Sequence, residues 1–345
     1  NHLNYFGGDY IMRKLVSRFL LVAFMLFIVA GITGCGKTEA PAAKEKPKEK
    51  YPTRAITVFV NYGAGGSSDL GTRALMAVVE KDLGVPINVM NKPGAGGWIG
   101  WLELLKAKPD GYTISLINTP NLITGYMDPK QNRKENIDSF ALIANHVTDP
   151  GAIAIRNDEK RFTNMKELVE YAKKNVLTTT STGITGDDHI AALKFNKQYG
   201  TKFEAVHNRG ANETITQVLG GHVDVMFANV GDVTTLHKNK EIKVLAVMSE
   251  KRSPLLAEIP TLKELGYDGV YSWSARGFAA PKGTDPAIIT ILTAAIERAT
   301  KNPEHMKKMA EMGLTLDYQN PEGVYKSLKM EEQGVIGIKD LLGWK

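Results

Sequence analysis

Apolar runs of strand length alternate with amphipathic stretches along most of the chain. Ala55 to Tyr62 (AITVFVNY) is a continuous apolar run and predicts a buried strand. Asp69 to Leu83 follows with Leu70, Ala74, Ala77 and Val78 on one face at helical spacing. Ile87 to Met90 predicts a strand, Trp101 to Ala107 a helix and Tyr112 to Ile117 a strand, with a turn at Pro109-Asp110-Gly111. A second series starts near Gly151. Ala152 to Ile155 predicts a strand, and Asn164-Met-Lys-Glu167 is a capping box opening a helix to Lys174. Leu177 to Ser181, Glu204 to His207, His222 to Ala228 and Lys243 to Met248 predict strands; Asp188 to Tyr199 and Glu213 to Leu219 predict helices.

Ser272 to Ala280 predicts one more strand. Thr284-Asp285-Pro286 then opens a helix whose apolar positions are Ile288, Ile291, Leu292, Ala295, Ile296 and Ala299. A last helix is expected from Pro321 to Gln333. This alternation is the signature of an α/β fold with largely parallel sheets. No Gly/Ser-rich linker divides the chain, so two domains would be joined by strands that cross between them.

The N-terminal segment has a different pattern. Arg13, Lys14 and Arg18 precede an uncharged run from Phe19 to Ile32, and Ile32-Thr33-Gly34-Cys35 closes it. The run is shorter than the ~20 residues of a membrane-spanning helix and has the layout of a secretory signal. Residues 1–11, ahead of Met12, are read as upstream translation, and 1–34 are set apart from the fold. Cys35 is the sole cysteine, which excludes an intramolecular disulfide. Residues 36–50 hold five Lys, three Glu and two Pro, with no aliphatic side chain larger than Ala. Such a segment cannot bury enough apolar area to offset its ordering entropy, so residues 35–50 are expected to form a disordered tether. Residues 51–345 carry 35 Lys and Arg against 33 Asp and Glu. That balance gives no clustered basic surface for nucleic acid.

Three polar, glycine-bearing segments each link a strand to a helix, the place where open α/β sheets put ligands. The first is Asn61-Tyr-Gly-Ala-Gly-Gly-Ser-Ser-Asp-Leu70. Its glycines allow close backbone approach, the helix N-terminus favours an anion, and Ser67, Ser68 or Asp69 can cap the helix. The second, Asn91 to Gly100, is read as close packing. The third, Thr178 to His189, is rich in hydroxyl donors suited to carboxylate oxygens. Asp187, Asp188 and His189 are adjacent and cannot easily converge on one cation, so no metal is expected and Asp is read there as a cap. The G-x-G-x-x-G pattern fails at Ser68, and no Walker, G-x-S-x-G or H-E-x-x-H motif is present. No catalytic residue and no cofactor is assigned. Trp98, Trp101 and Trp273 are read as packing.

Taken together, the segments resemble one family, the substrate-binding component of the tripartite tricarboxylate transporters, also called Bug receptors. The likeness runs from Tyr51 to about Gln333. It is carried by Tyr51-Pro-Thr-Arg-Ala-Ile-Thr, Gly65-Gly-Ser-Ser-Asp69, Asn91-Lys-Pro-Gly-Ala-Gly-Gly97, Pro109-Asp-Gly-Tyr-Thr113 and Leu219-Gly-Gly-His-Val-Asp-Val-Met-Phe227. Lys251-Arg-Ser-Pro254, Ile259-Pro-Thr261 and Ala280-Pro-Lys-Gly283 follow in order. The Ile-Thr-Gly-Cys35 stretch is similar to a bacterial lipobox, which implies lipidation of Cys35 and an extracytoplasmic, membrane-anchored location.

The resemblance implies a type II periplasmic-binding-protein-like fold with two α/β lobes and a ligand cleft between them. We expect lobe 1 at 51–147 plus 277–345 and lobe 2 at 148–276. It also implies capture of a small, carboxylated molecule, delivery to small and large membrane subunits, action as a monomer, and no enzymatic activity. A sensor for a membrane signalling system and a surface hydrolase are the alternatives. Carried over by position, the ligand residues are Tyr62, Gly65, Gly66, Ser67, Ser68, Asp69, Asn118, Thr119, Asn121, Ser181, Thr182, Gly183, Thr185 and Asn229. The resemblance implies that backbone N–H groups and waters hold the carboxylate, and no arginine clamp is expected. The chain departs from the family at Phe227-Ala228-Asn229, at His207-Asn208-Arg209-Gly210 and at Asn118-Thr-Pro120. Whether Arg209 or His207 touches the ligand stays open at this point.

Overall fold

A computed structural model describes residues 50–344. The signal-like segment, Cys35 and the tether up to residue 49 lie outside the described residues. In chain order the main elements are β1 (Ile56–Val60), α1 (Ser67–Leu83), β2 (Ile87–Asn91), α2 (Trp98–Leu105), β3 (Thr113–Asn118), α3 (Asn121–Met127) and β4 (Phe140–Arg156). They continue with α4 (Met165–Lys174), β5 (Leu177–Ser181), α5 (Asp187–Tyr199), β6 (Phe203–His207), α6 (Ala211–Leu219), β7 (Met226–Asn229), α7 (Val230–Lys238) and β8 (Ile242–Val247). The last are β9 (Trp273–Pro281), α8 (Pro286–Thr300), α9 (Pro303–Glu311), β10 (Leu316–Gln319) and α10 (Pro321–Gly337).

One sheet runs in the order β10-β4-β9-β3-β1-β2, with β1 parallel to β2 and β3 and with β9 antiparallel to β3 and β4. Its two faces carry separate cores. Leu75, Ile114, Phe278 and Leu292 pack beneath α1 and α8, whereas Trp98, Trp101, Leu122 and Leu328 pack beneath α2, α3 and α10. The far half of β4 pairs antiparallel with β7 and β8, and β5 with β6 forms a parallel pair joined to this side by a bridge from Thr179 to Val225. Here too the cores lie on two faces, one around Phe162, Leu168, Phe195 and Phe227, the other around Val218, Val233 and Val244.

The chain passes between these two assemblies side by side, along β4 and along the start of β9. At the crossing Gly151 N donates to Ser272 O at 2.9 Å, and Met248 N donates to Gly151 O at 2.7 Å. Both connections are hydrogen-bonded extended chain. This is the two-lobed periplasmic-binding-protein-like arrangement, with strands as the links.

The structure corrects several expectations. β4 has 17 residues where Ala152 to Ile155 were expected, because Asn145, His146, Thr148, Asp149 and Pro150 break the apolar run. Those polar groups are met internally: Asn145 Nδ2 donates to Asp317 O at 2.8 Å. α2 starts at Trp98, not Trp101, and ends at Leu105. The strand expected from His222 begins only at Met226. The helices α3, α7 and α9 and the strand β10 had no counterpart in the sequence reading. Asn164 does accept from Glu167 N at 3.0 Å, but the Glu167 carboxylate turns to Thr163 N and Oγ1, so only half of the capping box forms. Trp98 and Trp101 are buried edge to face at 5.5 Å as packing residues, whereas Trp273 is 43% exposed.

Candidate ligand-binding site

Four helices begin at one small polar cavity: α1 at Ser67, α5 at Asp187, α6 at Ala211, and α7, whose first turn holds Asp232. Their N-cap residues are Gly66, Gly186, Gly210 and Asn229, and none makes a side-chain cap hydrogen bond. A helix start leaves its first N–H groups without intrahelical partners and carries a partial positive charge. Neighbouring carboxylates meet part of this need, Asp149 Oδ1 accepting from Gly231 N at 3.1 Å at the start of α7, and the remaining first-turn amides form a favourable setting for an anion. The expected caps at Ser67, Ser68, Asp69 and Asp188 are not formed. Instead Asp187 accepts from Asn229 Nδ2 at 2.8 Å, and Thr182 Oγ1 donates to Asp188 Oδ2 at 3.4 Å.

Segments from both sides of the strand crossing close around the cavity. Gly63 N donates to Arg209 O at 3.1 Å, and Ser67 N donates to Asp232 Oδ1 at 3.0 Å. A Cβ built on Gly66 would stand 3.1 Å from the Ala211 Cβ, so glycine lets α1 and α6 approach end to end. Tyr62 lies in the wall, its hydroxyl donating to Gly96 O at 3.3 Å, and burial pushes that phenol up.

Arg276 enters from β9, where it pairs with Asn118 on β3 and Val147 on β4. It is 4% exposed, lies 3.0 Å from Asp149 Oδ2 through Nη2, and donates to Asn229 Oδ1 at 3.1 Å. Its Nε and Nη1 have no hydrogen-bond partner among the described residues; nor do Asn118 Oδ1 and Asn121 Nδ2, from two residues that also line the cavity. Unmet polar atoms in a buried wall are costly, so water or a bound group has to supply the missing bonds. Burial pushes the Asp149 carboxyl up to about 7, against the pull of Arg276. Burial likewise raises Asp187 and Asp188, which also repel one another.

Of the residues assigned by resemblance, Tyr62, Gly66, Ser67, Ser68, Asn118, Asn121, Thr182 and Asn229 line this cavity. Six others do not. Asp69 accepts from Gly65 N, Arg73 Nε and Asn91 Nδ2; although burial opposes it, these bonds hold its carboxyl below the ordinary range. It braces the loop in which Gly65 takes a φ of 85°. Thr119 turns away and donates to Glu331 at 3.0 Å. Ser181 donates to Gly183 O, Gly183 packs on Gly96, and Thr185 O accepts from Thr124 Oγ1. Arg209 is exposed and paired with Glu213, and the His207 ring packs edge-on against His189; neither lines the cavity.

Gly63, within the loop carried over, and Asp187, Ala211, Asp232, Ser274 and Arg276, which were not among the residues carried over, complete the wall. For Arg276 a signal existed: it is a charge inside an otherwise apolar strand, Trp273 to Pro281. A second, more apolar and more open cavity of about 130 Å³ adjoins at Asp187 and is lined by Ile190, Tyr271, Trp273, Val335 and Ile338.

Two α/β lobes linked by paired strands, with a polar cavity at converging helix starts, define a solute-binding receptor of the periplasmic-binding-protein type. The chain belongs to the tripartite tricarboxylate transporter receptor family, whose profile matches residues 72–333. A Cupriavidus necator protein described as "UPF0065 protein in gbd 5'region" is 31% identical over 306 residues, covering 86% of this chain and 89% of its own length. The solved periplasmic binding protein BugD is 28% identical, with a TM-score of 0.80 over 86% of this chain and 99% of its own. MatC from Rhodopseudomonas palustris, solved with bound malate, shares the fold at 23% identity and a TM-score of 0.77, covering 85% of this chain and 100% of its own. The family is one of substrate-binding receptors and not of enzymes, and it places the protein outside the cytoplasm. No helix among the described residues is long and apolar enough to cross a membrane.

Proposed function

We propose that this chain captures a small carboxylated solute in the cavity at the four helix starts and delivers it to the small and large membrane subunits of a tripartite transporter. The observation that carries the reading is the convergence of four helix N-termini, none capped by its own N-cap side chain, on a cavity that also holds a buried guanidinium with two unpaired nitrogens. Oriented amides and an arginine fork are the donors that a carboxylate accepts from. The malate seen in MatC agrees with this chemistry.

Residues 51–147 with 277–345 form one moving body in this reading, and 148–276 form the other. The paired strands near Gly151 and Ser272 act as the hinge. Closure buries the solute and joins the surfaces that the membrane subunits read. Cys35, lipidated, and the polar tether to residue 50 hold the receptor at the membrane, where it works as a monomer.

The test is thermal unfolding of the purified protein against a panel of small carboxylates. A ligand that binds only the folded state at a hundredfold excess over its Kd stabilises by about 2.7 kcal/mol, or roughly 5 °C or more in Tm. A panel of mono-, di- and amino-carboxylates at millimolar concentration that moves Tm by less than a degree overturns the reading.

A further inference from the structure

The apolar cavity beside Asp187 has no part in the capture proposed above. Its walls come from both sides of the strand crossing: Ile190 and Lys194 on α5, Val335 and Ile338 on and just past α10, and Trp273 at the start of β9. At about 130 Å³ it is close in size to an engineered cavity of about 150 Å³, lined by Leu, Ile and Phe, that binds benzene. Gly334 also lines it, inside α10, where glycine is a disfavoured residue. A Cβ built on Gly334 would meet nothing within 4 Å, so the missing side chain leaves open space over the helix.

The same lining holds a charge without a counter-charge. Lys194 is partly buried, and its Nζ donates to Tyr271 O at 3.2 Å, a carbonyl of the same wall. No carboxylate pairs with it among the described residues, and burial lowers its pKa from the ordinary lysine value. The two acids of the lining are engaged elsewhere. Asp187 Oδ2 accepts from Asn229 Nδ2 at 2.8 Å, and Glu331 Oε1 accepts from Thr119 Oγ1 at 3.0 Å and from Trp273 Nε1 at 3.3 Å. The last bond ties down one edge of an indole that is still 43% exposed. An ammonium has three donors, so two remain at Lys194, and a charge held against apolar surface is costly until an opposite charge meets it.

Independently of solute capture at the helix starts, we propose that this cavity is a second small-molecule site. It takes an amphipathic monocarboxylate whose apolar body, about the size of a benzene ring, packs on Ile190, Trp273, Val335 and Ile338 while its carboxylate meets the Lys194 ammonium. One carboxylate matches the one cation of this lining. A dicarboxylate would set its second charge against apolar side chains and is disfavoured.

Titration calorimetry of the purified protein with phenylacetate, cyclohexanecarboxylate and hexanoate, each beside its neutral primary amide, tests the assignment. At least one acid is expected to bind about tenfold or more tighter than its amide. Gly334→Phe fills the space from a helix position with room for a side chain. It is expected to weaken that acid about tenfold or more while Tm stays within a few degrees of wild type. Lys194→Met keeps an unbranched apolar stem without the ammonium and is expected to erase the preference for acid over amide. Gly66→Val, which obstructs the helix-start cavity, is expected to leave the acid's affinity unchanged. Acid binding that Gly66→Val removes and Gly334→Phe spares lies in the helix-start cavity; it overturns the inference and leaves carboxylate capture standing. No binding by any of the three acids, amides that bind as tightly as their acids, or a preference unchanged in Lys194→Met also overturns it, whatever the thermal panel shows for capture.

Discussion

Arg276 and Asp149 face each other on the two strands by which the chain crosses between lobes, 3.0 Å apart and almost wholly buried. Buried carboxyls of this kind couple stability to pH. Burial raises Asp149 from 3.8 to about 7, and burial raises Glu331 from 4.5 to about 7 even though Thr119 and Trp273 hydrogen-bond it. A carboxyl whose pKa is higher folded than unfolded holds its proton more tightly in the folded state. Its stabilising contribution is full below the unfolded value and is lost as pH rises through about 7. His146 and His305, with ring Nε2 atoms 3.0 Å apart, are both lowered, by burial first, so their contribution is complete above 6.5 and fades only on acidification. Between pH 6.5 and 8 the carboxyls therefore decide the slope: the ligand-free protein should lose unfolding free energy across that interval in urea titrations. Asp149→Asn and Glu331→Gln should each flatten the curve. At this scale the sequence was only partly readable. Tyr62, Ser67, Ser68 and Thr182 announced themselves by lying in polar glycine loops, whereas Arg276, conspicuous as a charge in an apolar strand, and Asp149 can be placed at the site only once their pairing across the crossing is known.

Each of three glycine N-caps, at Gly66, Gly186 and Gly210, lets a helix begin at the cavity without a side chain in the way. Gly66→Val would place branched carbon against Ala211, whose Cβ already lies 3.1 Å from where a Cβ at residue 66 would stand. Because Gly66 has a φ of −78°, valine strains the approach of α1 to α6 and not the local backbone. The expected outcome is a loss of ligand affinity of about tenfold or more, read by titration, with Tm of the free protein within a few degrees of wild type. Gly183 differs: its φ of 129° and the Gly96 backbone 3.0 Å away mean that any side chain there disturbs the fold as well. Strand-loop-helix junctions of this type were legible because apolar runs, glycines and helical spacing agree there. The elements that were not legible had weak or conflicting patterns. α7 is rich in β-branched residues (VGDVTTLHK), α3 has seven residues, and the near half of β4 is held by side-chain bonds that no periodicity reveals.

For the molecule as a whole, the central claim is that one solute is gripped at once by helix starts that belong to both sides of the strand crossing. The fold class was open to inference from the order of strands and helices, and the family from its ordered motifs. The charge pattern of the cavity was not, because Asp187, Asp232, Asn118 and Arg276 lie far apart in the chain and meet only through the folded crossing. Hydrogen–deuterium exchange with and without the tightest ligand from the thermal panel tests the claim most directly. The account predicts that peptides over residues 63–69, 183–189, 209–213 and 229–233 gain protection together on ligand addition. Protection confined to one side of the crossing, or appearing elsewhere while these four helix starts exchange unchanged, would contradict it.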